Sequence, residues 1–148
     1  MINKLNNKRL MLAFIIFCPL IFGSKNQNLF EGYWQTSRSI VLVKECNQEL
    51  CAFIEEITIK GIDESKQLLD INNRNKSLRQ RPLIGINLLK DFSYPDHNIK
   101  TLKNGKIYDP GRGRIFKSNL YILENGNLKV EGCFLRICDH EEWIRLSN

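Results

Sequence analysis

Histidine is scarce in this chain: His97 and His140 are its whole complement. His97 lies between Asp96 and Asn98 in loop-like sequence, and His140 follows Asp139 near a turn. Neither stands beside a nucleophile signature, so the pattern offers little to acid–base or nucleophilic catalysis. Asp139-His140-Glu141 holds metal-ligating side chains, but neighbours on a strand point to opposite faces. No catalytic residue, metal or cofactor is therefore expected. Internal repeats and low-complexity tracts are missing, and helix signals are almost absent. The one long apolar run, residues 10–22, is broken by Pro19 and is short for a membrane span.

A strong charge of one sign is also missing. The net charge is +6, and three of the basic residues, Lys4, Lys8 and Arg9, precede the apolar run. That layout, a basic start, an apolar middle and small residues at Gly23 and Ser24, reads as a secretory signal peptide over residues 1–23. The cut site lacks a clear Ala-x-Ala, so an uncleaved anchor is the rival reading and the only route to a membrane. Cys18 follows the bulky Phe17, which argues against a lipid-modified cysteine. Without the leader, 19 basic residues (22 less those three) face 16 acids over about 125 residues (148 less 23). That length suits a single domain over residues 24–148. Basic character is modest and scattered, and with export it argues against nucleic acid as a partner. The leader points to the periplasm or the exterior.

Four cysteines remain, Cys46, Cys51, Cys133 and Cys138. An even number in an exported protein reads as disulfides. Both pairs have the spacing Cys-x4-Cys across expected turns, which favours Cys46–Cys51 and Cys133–Cys138. A four-cysteine zinc site is the rival, although a spacing of two is commoner for zinc.

The remainder reads as short strands. Residues 30–36, 39–46 and 50–59 form the first three, with Phe53, Ile57 and Ile59 assigned to one face. Residues 61–82 are a polar connection in which Asn73 or Asn75 could cap a helical turn and Pro82 would stop it. Residues 83–90 are apolar on both faces, and residues 99–102 are a short strand of their own. Residues 105–116 are organised as strand, Asp109-Pro110-Gly111 turn and strand. Asn125-Gly126 makes another hairpin. In residues 127–134, Leu128, Val130, Gly132 and Phe134 share a face. The last strand covers residues 140–146. Eight or nine strands joined by turns predict an all-β antiparallel barrel or sandwich, its one long polar connection holding at most a short helix.

Several blocks resemble a bacterial family of exported proteins, domain of unknown function 2147. They are Gly32-Tyr33-Trp34, Cys46 to Cys51, Asp70 to Asn73, and residues 78–85 with Arg81-Pro82-Leu83-Ile84-Gly85. Residues 105–110 with Gly113, residues 128–133, and Trp143-Ile144-Arg145 complete them. Ala52 and Phe116 depart from the usual glycine and tyrosine, and His140-Glu141-Glu142 from a more neutral stretch. The resemblance implies a lipocalin-like, calycin-type barrel with no established activity. It also gives Gly32, Trp34 and Arg145 a structural role, the arginine packing on the tryptophan to close the barrel bottom.

Arg79 and Arg81 suit an anion at the barrel mouth. They equally suit a structural bridge to Asp70 or Asp109. Tyr108 and Asp109, beside the tight turn, share that choice between ligand contact and structure. The expected function is binding of a small apolar or amphipathic molecule, or of an envelope component, without catalysis. A protein-interaction module of the cell envelope and an envelope hydrolase are the alternatives.

Overall fold

A computed structural model describes residues 28–61 and 67–147; the expected leader lies outside them. The chain forms eight antiparallel strands. They are β1 (Gly32–Gln35), β2 (Ser39–Cys46), β3 (Glu49–Ile57), β4 (Leu89–Lys90), β5 (Thr101–Asp109), β6 (Arg114–Ile122), β7 (Leu128–Phe134) and β8 (Ile137–Arg145). The strand order is β3-β2-β1-β8-β7-β6-β5-β4. The sheet edges nearly meet. The backbone before and after β4 bonds to β3 through Gly85 N to Ile54 O (2.7 Å), Leu88 N to Ala52 O (2.7 Å) and Leu50 N to Phe92 O (2.8 Å). Closure satisfies strand edges that would otherwise face solvent, and the result is an all-β barrel.

Period-two patterning fills the interior. Val41 and Val43, Leu50 and Ala52, Leu128 and Val130 are each buried on alternate positions. Burial of each larger aliphatic contributes about 1.5–3 kcal/mol. Phe53 does not share a face with Ile57 and Ile59. Val41 opposes Ile54 while Ile40 opposes Glu56, so Glu55 is an extra residue in β3. This bulge reverses the alternation beyond it. Phe53 therefore faces outward under Lys44, whose Nζ is 5.1 Å from the ring. Of residues 99–102, Thr101 and Leu102 open β5 rather than forming a separate strand; the pairing is interrupted before Gly105, where Asn104 takes a positive φ of 66°. Within residues 83–90 only Leu89–Lys90 is regular. Lys76–Leu78 is a single 3-10 turn capped by the Asn75 side chain.

One end of the barrel is shut. Phe30, Trp34 and Phe92 fill it, at most 2% exposed. Arg145 covers Trp34 with its guanidinium carbon 4.1 Å from the ring centroid. It donates to the Glu31 carbonyl at 3.0 Å and to the Leu29 carbonyl. Gly32 adopts φ +124°, and a Cβ there would stand 3.3 Å from Arg145 Nη1. This accounts for glycine two residues before Trp34. Disulfides Cys46–Cys51 and Cys133–Cys138 tie the β2–β3 and β7–β8 hairpins.

Candidate functional site

The other end is open. Three hairpin turns surround it: β1–β2, β5–β6 and β7–β8. Between them lies a cavity of about 890 Å³. Its floor includes Ile54, Leu88, Val130 and Trp143. Its walls include Ile57, Leu83, Ile107 and Phe116. The lip carries apolar side chains too, Ile71, Phe134 and Ile137 at 66%, 56% and 78% exposure, among polar ones that include Arg38 and Arg112. Trp143 is held in place through Glu141, which accepts its Nε1–H at 3.2 Å and the Ser37 N–H at 2.6 Å. The cavity thus joins an apolar interior to a rim of mixed apolar and polar side chains, an arrangement suited to a small hydrophobic or amphipathic guest. One further polar group lies on the inward face of β6. Ser118 Oγ is buried and has no hydrogen-bond partner among the described residues.

The segment 67–83 packs against this mouth and is pinned by one buried carboxylate. Asp70 is 1% exposed. Its Oδ2 accepts Arg81 Nε at 2.9 Å, Arg81 Nη2 at 2.8 Å and Asn73 Nδ2 at 2.7 Å. Its Oδ1 accepts the Tyr108 hydroxyl at 2.5 Å. Arg81 also stacks over the Tyr108 ring, its Cζ 5.3 Å from the centroid. Burial, and then the bond to Asp70, push the Tyr108 hydroxyl up to about 12. Arg79 Nε donates to the Asn73 carbonyl at 2.8 Å. Gly113 completes the seam: Arg74 N donates to its carbonyl at 3.2 Å. Its φ is +62°, and a Cβ would collide with the Asn72 carbonyl.

The four residues expected at the site are therefore divided. Tyr108 and Asp109 line the cavity. Asp109 also accepts the Arg112 N–H at 3.1 Å within its turn, with Arg112 Nε 3.6 Å from the other carboxylate oxygen. Arg79 and Arg81 are not paired on a common open site; they hold the loop from within. His97 and His140 are both exposed, and His140 reaches the cavity rim with Asp139. Glu131, Cys133 and Cys138 bring ligand atoms within 4.8 Å of one another, but the two sulfurs are bonded together. Sequence reasoning missed the floor, Ile54, Leu88 and Trp143. One available signal was Gly132, a residue without a side chain on the inward face of an otherwise bulky strand.

Fold and cavity define the class, a lipocalin-like β-barrel with one open end. The chain belongs to the bacterial family described as "uncharacterized protein conserved in bacteria (DUF2147)", whose model matches residues 32–145. A solved structure described as protein HP1028 from the human pathogen Helicobacter pylori, belonging to the lipocalin family, is similar at 24% identity. The superposition has a TM-score of 0.67 and covers 82% of this chain and 86% of that one. It bears on the fold alone. A comparison with curated proteins finds none that matches. A bacterial family and two disulfides fit an extracytoplasmic location.

Proposed function

We propose that this protein is an exported carrier that takes a small apolar or amphipathic molecule into the open end of the barrel, without chemical conversion. The observation that carries this reading is the cavity of about 890 Å³ running from Trp143 at its floor to the exposed Phe134 and Ile137 at its lip. A barrel filled by its own side chains would have no such volume. The leader-like residues 1–23 support delivery across the inner membrane. Asp109 contributes a carboxylate to the wall, while the Tyr108 hydroxyl is committed to Asp70.

Tryptophan emission tests the reading. Trp143 lines the cavity, whereas Trp34 is sealed at the closed end. A brominated long-chain alcohol should quench wild-type emission saturably. Trp143→Phe, which leaves Trp34 as the sole indole, should show little quenching. Equal quenching of both proteins, or none of either, would refute the carrier reading.

A further inference from the structure

A second, smaller cavity of about 400 Å³ adjoins the first. Tyr108, Phe116 and Phe134 line both. The character of the two differs. The smaller cavity is lined by four cations, Arg74, Arg81, Lys90 and Arg114, and by no carboxylate. In the mature chain basic and acidic residues are nearly balanced, so this is a local concentration. Arg81 is committed to Asp70. Arg74, Lys90 and Arg114 are exposed, and among the described residues none of them makes an ion pair. The sheet register adds to the field: Lys90 opposes Lys106 and Lys106 opposes Lys117 across three strands. Among the described residues only Lys106 of these three has a carboxylate at hand, Asp91 at 2.5 Å. Like charges directly opposed destabilise a sheet, and a bound anion would relieve them. Asn75 lines the same cleft and carries an amide donor, whereas the Asn73 amide is committed to Asp70 and the Tyr108 hydroxyl.

We propose that this cleft is the head-group site of an anionic amphiphile. A carboxylate or phosphate head lies among Arg74, Lys90 and Arg114, and the apolar chain passes Phe116 and Phe134 into the barrel. The inference rests on the carrier reading and narrows it from any apolar guest to an anion with a chain. Guanidinium and ammonium groups bind such heads with charge-assisted hydrogen bonds, which a neutral alcohol of equal chain length forgoes.

The test is competition against the brominated alcohol probe, read by Trp143 emission, with dodecanoate and dodecanol as competitors. Wild type should bind dodecanoate about tenfold more tightly than dodecanol. In the double variant Lys90→Gln/Arg114→Gln the preference should fall to near one, with dodecanol affinity unchanged. Lys100→Gln/Lys103→Gln, which removes two exposed cations at the closed end, should keep it, separating a local site from net charge. Inorganic phosphate at constant ionic strength should compete weakly with dodecanoate and not with dodecanol. Equal affinity for the two competitors in wild type would overturn the head-group site and leave the carrier reading standing. Entry of neither competitor would overturn both. Phosphate bound as tightly as dodecanoate would assign the cleft to free anions and overturn the proposal.

Discussion

Gly132 gives the cavity its room, and filling it is the most informative single change. The residue lies on β7 between Val130 and Phe134, on the inward face, and lines the cavity. A Cβ built there meets Ile107 Cγ2 at 3.6 Å and Phe116 Cβ at 3.9 Å, ordinary contacts. Its φ is not positive, so any L-residue fits the backbone. Gly132→Phe would send a benzyl group into the 890 Å³ space. Burying a phenylalanine side chain contributes about 1.5–3 kcal/mol. Replacing a strand glycine adds up to about 1 kcal/mol by restricting the unfolded chain. Against this stand the lost side-chain freedom and imperfect packing, each of about 1 kcal/mol. The expected net change is a gain of about 1–2 kcal/mol in urea unfolding, together with at least about a tenfold loss in affinity for the brominated alcohol. The pairing matters, because a merely damaged protein loses stability and binding together. A stable variant that binds as wild type does would refute the assignment of the ligand to this cavity. A variant destabilised by several kcal/mol would refute the claim that the space beside Gly132 is free.

Three other perturbations test the frame around the site. Asp70→Ala strands Arg81 and leaves Tyr108 and Asn73 without their acceptor; with the Arg81 side chain 35% exposed, a loss of about 2–4 kcal/mol is expected in urea unfolding. Hydrogen exchange should rise across residues 67–83 first, and protection unchanged there would contradict the role of Asp70 as the pin. Arg145→Ala should cost about 1–2 kcal/mol through the lost stacking on Trp34 and the two carbonyl bonds, with ligand affinity unchanged because the residue lies at the closed end. Tyr108 predicts an alkaline weakness. Its hydroxyl is raised from 10.0 to about 12 in the folded protein, chiefly by burial. Its contribution is complete below pH 10 and is lost as pH rises from 10 towards 12, at most about 3 kcal/mol. Tyr94 is raised similarly by burial and Glu31, so the comparison must be with Tyr108→Phe, whose stability should fall less steeply over that window.

Much of the frame was legible in the residues. The alternation of Leu128, Val130, Gly132 and Phe134 gave an inward face, and Asp109-Pro110 marked the β5–β6 turn. The cysteine spacing matched two hairpins because Cys133 and Cys138 directly oppose each other, while Cys46 and Cys51 are diagonal neighbours two residues off register. What failed failed for local reasons. The extra residue Glu55 has no signature in a run of strand formers, so simple alternation puts Phe53 on the wrong face. Residues 83–90 look like a strand by composition, yet their backbone bonds are shared between β3 and β5 with only two residues in regular pairing. The site was less legible than the fold. Arg79 and Arg81 attract attention as a basic pair, but the Asn73 carbonyl holds Arg79 and the buried Asp70, thirty-eight residues before Tyr108, holds Arg81, and that meeting is tertiary. The cations of the second cavity, Arg74, Lys90 and Arg114, come from three separate stretches and have no local pattern at all.

Native mass spectrometry of the protein exported from a bacterial host under its own leader bears most directly on the central claim. The account predicts a mature polypeptide cut near Gly23, four hydrogens lighter for the disulfides Cys46–Cys51 and Cys133–Cys138, and carrying a reproducible added mass that disappears in Gly132→Phe. A bare polypeptide at every gentle setting, or an added mass that persists in the filled variant, would contradict it.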